Sequence, residues 1–401
     1  MSSSTTTATT PATGLEALNN LVTSTLDLIT RLETVVASLT AENAQRPDRP
    51  STEEQSSNPH PEINPLLLAS DASTLLRAHA TKLSLLIINE PFTPSAIISI
   101  LRQLTAGPLP GLASAAQICV ASQWTKTISA DLAYRISRVL KETRGLVEKI
   151  PGDGKALKDT PAGAGGNKRG GGKQGSVANT GTLWAACDEL VAFAKRGFAG
   201  NVIKKTEEMK DTVKDVMQEL KEWGEETGSD DDEEEEDDDD DENEDEDVKG
   251  VMQSSEAAKI ADTQAMLDDL MNSSSYIPRD DPDKIRERLE SCLRRLRLVT
   301  LLYQAVAKRR FKSLPQAAPA QGSDVPKRLD EIMVLLKKIP ERFGSLALAF
   351  YELDPVEIDK LMDQCFFDCF AVAELLIKPW DGEKDDFSDW VVKFQAEVKK
   401  A

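Results

Sequence analysis

Apolar residues recur at intervals of three and four along most of the chain, which is the spacing of one face of an α-helix. The first such stripe comprises Leu15, Leu18, Val22, Leu26, Ile29, Leu32, Val36 and Leu39. No sustained segment alternates apolar and polar residues, as a half-buried strand would. The pattern predicts an all-α protein, and long helices with short connections pack as antiparallel bundles.

Two stretches of biased composition interrupt the helical pattern. Residues 151–181 contain ten glycines and five basic residues, which is typical of a flexible insert with too few apolar groups to fold. From Asp230 to Asp247, seventeen of eighteen residues are acidic, and their mutual repulsion predicts disorder. The predicted organisation is a disordered Ser/Thr-rich tail (1–13), an N-terminal helical bundle (14–228), a disordered acidic linker (229–249) and a C-terminal helical bundle (250–401).

Charge and composition indicate which cell compartment and which classes of partner to expect. The formal net charge is −20, and the acidic run alone contributes −17, so the remainder is nearly neutral. Such a chain repels phosphate backbones, and direct nucleic-acid binding is not expected. No apolar run approaches a membrane span, the N-terminus lacks a secretory signal pattern, and five scattered cysteines suit reduced thiols. We therefore expect a cytoplasmic and nuclear protein with no membrane partner.

The chain has little of the equipment that catalysis needs. Its two histidines are His60, which lies between two prolines, and His79, which falls on the apolar face of the second helix. A histidine in the latter position is usually a hydrogen-bonded residue at the core or its edge. Helical spacing places no acid, thiol or second histidine beside His79, and His60 suits a solvated loop. We therefore expect no catalytic residue, no cofactor and no metal site.

Two apparent motifs have simpler interpretations. Gly170–Gly175 formally matches a dinucleotide-binding glycine pattern, but neither a strand before it nor a helix start after it is predicted. Cys365 and Cys369 lie four residues apart on one helix face, where a metal site needs two further ligands. The flanking phenylalanines favour core packing for both thiols.

A helix resumes after the glycine-rich insert with Trp184, Cys187 and Leu190 in its first turns. A tryptophan there most often packs into the bundle, but tryptophan is also favoured at the centres of protein interfaces. These three residues are therefore our candidates for partner binding.

Two further surface sites are predicted from local charge. Ser229 directly precedes the acidic run, the context that an acidophilic kinase prefers, and is a candidate phosphorylation site. A basic cluster lies at a predicted helix end and comprises Lys308, Arg309 and Arg310. It is either a nuclear-import signal or a set of cations that stabilises the negative end of the helix dipole. The acidic run itself is open to three interpretations: a solvated spacer, an attractor for basic partners, or an inhibitory arm that contacts residues 151–181.

Several segments together resemble the cyclin-D-binding protein family, also called GCIP. They are Thr182–Leu190, Val213–Leu220 with the acidic insert that follows, Leu298–Val299, Leu329–Ile332 and Leu346–Tyr351. The resemblance covers most of residues 15–401. It implies a non-enzymatic protein of two helical bundles that binds D-type cyclins and helix-loop-helix factors and restrains cell-cycle progression and transcription. It implies no catalytic residues.

Two other functions remain open at this stage. The acidic run suits a histone or ribosome chaperone, which would bind basic partners through it. The succession of helical bundles also resembles the vinculin and talin class of cytoskeletal adaptors. If the protein instead acts as its resemblance to the cyclin-D-binding family implies, the surface of a helical bundle binds an amphipathic helix of the partner and sequesters that partner.

Overall fold

A computed structural model describes residues 11–45, 63–157, 176–225, 276–314, 323–380 and 385–399. Within these ranges all regular structure is helical and no strand occurs, so the predicted all-α fold is confirmed. The acidic linker, Ser229, His60 and the glycine pattern at 170–175 lie outside the described residues.

The chain divides into two compact units, and each is discontinuous in sequence. The first combines residues up to Lys205 with residues 307–334. Its helices are α1 (Pro11–Gln45), α2 (Pro65–Ile88), α3 (Pro94–Ala106), α4 (Pro108–Ile118), α5 (Ala121–Trp124), α6 (Lys126–Val147), the first part of α7 (Ser176–Glu225) and the first part of α9 (Val325–Tyr351).

The second unit combines residues 206–306 with residues 335–401. It contains the end of α7 and most of the helices that follow it. These are α8 (Ile285–Ala305), the second part of α9 (Val325–Tyr351), α10 (Pro355–Ile377) and α11 (Asp386–Val398). A π-helical turn, Val306–Arg310, follows α8.

The division into compact units does not follow the predicted domain boundaries. Residues 206–225 group with the C-terminal helices, and residues 307–334 group with the N-terminal ones. A compact unit is not necessarily a segment that folds alone, so the predicted domains stay a prediction.

Local sequence explains where several helices begin. Pro65, Pro94, Pro108 and Pro355 occupy the first turns of α2, α3, α4 and α10, where a missing backbone N–H costs nothing. The Asn64 side chain also accepts hydrogen bonds from the first free amides of α2. These starts were predictable because they depend on neighbouring residues alone.

The structure differs from the predicted elements at α7. This helix begins at Ser176, inside the predicted flexible insert and seven residues before Leu183. It also joins two helices that were predicted separately, and Gly197, with φ of 68°, is its one non-helical position. A side chain there would strain the backbone, so glycine permits the kink.

Polar contacts show that α7 runs antiparallel to α2. Going forward along α7, Thr180, Trp184 and Asp188 contact Ser84, Thr81 and Arg77 of α2 in turn. The residue numbers rise on α7 and fall on α2, so the two helices run in opposite directions. The contacts of α7 with α6 show the same opposite order: Thr182 contacts Glu142, and Lys205, further along α7, contacts Asp131, which comes earlier in α6. The expected antiparallel packing is confirmed for these helices.

In the second unit, alternate helices run parallel. Arg288 on α8 pairs with Asp359, and Arg295 stacks on Phe366, seven residues further along both helices. Antiparallel α11 returns along α10, because Ser388 bonds the carbonyl of Ile377 while Gln395 reaches Glu374. This is the alternation of an up-and-down bundle. None of the described helices is long and apolar enough to cross a membrane.

Candidate interaction site

The best-defined surface feature of the first unit is Trp184, at the seam between α2 and α7. Leu183, Cys187 and Leu190 follow helical spacing and are fully buried, so they define the inward face of α7. Trp184 is one position from this face and is half-buried at its edge. The indole therefore contributes to the packing of the seam and also reaches the surface.

Two contacts and one supporting ion pair hold the indole in place. Its Nε1–H donates a hydrogen bond to the hydroxyl of Thr81 over 3.1 Å. The guanidinium of Arg77 lies over the ring, 5.3 Å from its centroid, and pairs with Asp188 over 3.1 Å. Because α2 supplies two of these groups and α7 the third, the position of the ring depends on the register of the two helices.

Burial separates the three candidate partner-binding residues. Cys187 and Leu190 have no exposed surface, and burial raises the pKa of the Cys187 thiol to about 11. The carbonyl of Cys187 accepts a hydrogen bond from Ser73 inside the unit. A partner docking on this surface meets Trp184 and not the other two, so the partner-binding prediction now rests on the indole.

The outer face of α2, the helix that contacts the indole, carries large apolar side chains. Leu67 is 62% exposed, Leu75 47% and Leu85 50%. Asp71 and Lys82 are exposed on the same face. Periodicity alone did not single out this face, because the inward face of α2 is also apolar and dominates the pattern.

His79 lies on the opposite, inward face of α2, as predicted, and is 7% exposed. Its Nδ1 has no hydrogen-bond partner among the described residues, so the expected hydrogen bond is not seen at this atom. Burial lowers the pKa of His79, and the nearby charge of Lys82 lowers it further. The ring is therefore held neutral near physiological pH.

The three cations of the predicted import cluster all lie in the π-helical turn but differ in exposure. Lys308 and Arg309 are exposed, whereas Arg310 is completely buried. The cation of Arg310 is close enough to Arg328 to add to the effect of burial in lowering the pKa of Arg328. An import receptor could reach only the first two cations, and the import role remains a prediction for them.

Asp330 is a structural residue that the sequence analysis missed. Its carboxylate accepts hydrogen bonds from the backbone N–H of Lys126, at 2.8 and 3.0 Å, and of Thr127, so a residue of α9 caps α6. Burial raises the pKa of Asp330, and these hydrogen bonds oppose the shift. No local signal marks this contact, because the partners are about two hundred residues apart in sequence.

The described thiols and clefts offer no assembled chemical site. All five cysteines are free and buried, and burial raises the pKa of Cys119 and of Cys365 to about 12. Among the described residues, no three metal-ligating side chains come together. A cleft of about 830 Å³ lies between the α2–α3 loop at 90–92 and residues 151–157, and none of the described residues that line it is a histidine, cysteine, serine or threonine.

The described residues form an all-helical protein in which Trp184 reaches the surface at the seam between α2 and α7. Residues 69–226 match the family model described as Grap2 and cyclin-D-interacting, N-terminal. The matched range runs from α2 to the end of α7 and includes Trp184, Arg77 and Thr81. The resemblance to the GCIP family predicted from the sequence is thus confirmed for this part of the chain, which is 158 of the 401 residues. No curated protein matches the chain.

Proposed function

We propose that this protein is a non-enzymatic regulator that acts by binding other proteins. Its partners are cyclin-like proteins or helix-loop-helix factors, and it restrains cell-cycle progression or transcription by sequestering them. The family description supports the class of partner, because it names interaction with cyclin D. The observation that carries the proposal is the ordered indole of Trp184 at the surface of the matched domain.

An indole held in this way suits recognition of a partner. A tryptophan whose orientation is already determined loses little conformational freedom on binding, and a large aromatic side chain buries much apolar area in one contact. The exposed leucines of α2, the helix whose Thr81 and Arg77 contact the indole, offer further apolar area. An amphipathic helix of the partner, laid along α2, would cover both.

The acidic run adds a long-range component to this mechanism. Seventeen carboxylates in eighteen residues attract a basic partner and raise its association rate, an effect that salt weakens. The apolar surface then determines how long the complex lasts, since differences in affinity within one interface arise mostly from dissociation.

The test is binding of the purified full chain to a D-type cyclin and to a helix-loop-helix domain, measured by calorimetry. We expect Trp184→Ala to weaken binding at least about tenfold. Phe367→Ala is the matched control, because this aromatic is 68% exposed on α10 in the second unit. It should change affinity less than twofold. If the wild-type chain binds neither partner, the proposal is wrong.

A second candidate function follows from the acidic run. If the protein is a histone or ribosome chaperone, deletion of residues 230–247 should abolish binding to basic partners. Under the sequestration mechanism, the same deletion leaves most of the affinity and reduces its salt dependence. Calorimetry of the deletion variant at two salt concentrations separates the two.

We also propose that the protein works in both cytoplasm and nucleus, with Lys308 and Arg309 contacting the import receptor. Both side chains are exposed, which such a contact requires. A fluorescent fusion carrying K308E/R309E should lose nuclear signal, whereas K141E, at an exposed lysine of α6, should not.

A further inference from the structure

The outer face of α2 is apolar at both ends and in the middle. Leu67, Leu75 and Leu85 are each about half exposed or more, and Ala78 is exposed between them. At about 100° per residue, these four side chains fall in a sector of roughly 80°. Because the inward face of the helix is apolar too, α2 has apolar residues on both sides, which is typical of a helix covered on both sides.

The charges on this face are arranged symmetrically. Asp71 and Lys82 are exposed, and each lies about 8 Å along the helix axis from the midpoint between residues 76 and 77. Leu67 and Leu85 lie about 14 and 13 Å from the same midpoint, on opposite sides. From the start to the end of α2, the face therefore presents a leucine, an acidic residue, an apolar centre, a basic residue and a leucine.

A surface with this order is complementary to itself. In a two-fold dimer, the same patch of both subunits meets in opposite directions. Two antiparallel copies of α2 would place Leu67 beside Leu85 of the second copy and Asp71 beside Lys82 of the second copy. Leu75 and the small Ala78 would meet at the centre, where a small side chain lets helices approach closely.

We propose that this face, which we call the α2 stripe (Leu67, Asp71, Leu75, Ala78, Lys82 and Leu85), binds a second copy of the same chain. A foreign helix needs no mirrored order of charges on α2, whereas an antiparallel second copy does, and this favours self-association. A stable interface buries about 800 Å² per partner, and the stripe is only one helix face. We therefore expect a weak dimer that forms reversibly.

Charge exchange on the purified full chain tests the proposal, with sedimentation velocity from about 1 to 200 μM, a range that spans a micromolar Kd. Asp71→Lys places two lysines opposite each other in the dimer, and Lys82→Asp places two aspartates, so each variant alone should associate at least about tenfold more weakly. An equimolar mixture of the two should form a mixed dimer, because both pairs are then opposite in sign. The double variant D71K/K82D should recover self-association.

Matched controls change charge elsewhere in the same unit. Asp27→Lys on α1 and Lys141→Asp on α6 alter exposed residues outside the stripe and should leave association unchanged. A wild-type chain that stays monomeric throughout overturns the proposal. So does a dimer that neither single variant weakens, or a pair of single variants that does not associate when mixed. The proposed function offers the same leucines to a partner helix, so a second copy and a partner would compete for this face. Cyclin binding is measured separately, and failure of self-association leaves the proposed function intact.

Discussion

The seam between α2 and α7 and the interior of the second unit are built from different interactions. The seam joins its helices through hydroxyls, an indole N–H and an ion pair. The second unit is filled with rings: Phe343 and Phe366 meet edge to face at 5.5 Å, and the Arg295 guanidinium lies 3.6 Å from the Phe366 centroid. The first arrangement determines which residues lie opposite one another, and the second removes a large apolar area from water.

The two regions therefore contribute differently: the aromatic core of the second unit supplies more stability, and the polar seam supplies more specificity of helix register. Hydrogen bonds contribute modestly to net stability, about 1 kcal/mol each, but they are lost if the helices slip. Aromatic burial contributes more and tolerates small shifts. A surface site that depends on register, such as the one at Trp184, therefore belongs on the polar seam.

The largest expected effect is in the second unit. Phe366→Ala removes a ring that is 3% exposed and contacts both Phe343 and Arg295, and should lower the free energy of unfolding by about 3–5 kcal/mol. Urea denaturation followed by circular dichroism measures it. Phe367→Ala, at the neighbouring position and 68% exposed, should cost less than about 0.5 kcal/mol. Equal losses for the two variants would contradict the description of this core.

A smaller effect is expected at the seam. The Thr180 hydroxyl donates to the Ser84 hydroxyl over 2.8 Å in a buried position, so Ser84→Ala removes a hydrogen bond that water cannot replace. We expect a loss of about 1–2 kcal/mol, and S84A/T180V should cost less than the sum of the single changes.

Exposed Ser99 is the control for this pair. It accepts a bond of 3.4 Å from Gln103 on the surface of α3, and Ser99→Ala should change stability by less than about 0.5 kcal/mol. Strict additivity at Ser84 and Thr180 would mean that their hydroxyls do not interact, and that the seam is held by apolar packing instead.

The helices themselves were predictable because their signals are local. Spacing of three and four, a proline at the start of α2 and a capping threonine before α6 each involve residues within one or two turns. Burial of Cys187 and Leu190 was also within reach, because both share a helical face with Leu183. The hydrogen bonds of Trp184 and the Asp330 cap were not, since each joins segments that only the folded chain brings together.

The smallest expected effect is a dependence of the stability of the first unit on pH, through His79. Its pKa in the folded state is lowered from the ordinary 6.5, so near and below that pH the unfolded chain binds more protons than the folded one. Stability should therefore fall as the pH drops through 6.5, and the loss is complete below the folded pKa. Thermal unfolding between pH 7.5 and 5.5 measures the slope, which His79→Gln should reduce and His60→Gln should leave unchanged. An unchanged slope in the His79 variant would mean that this ring takes up its proton as readily when folded as when unfolded.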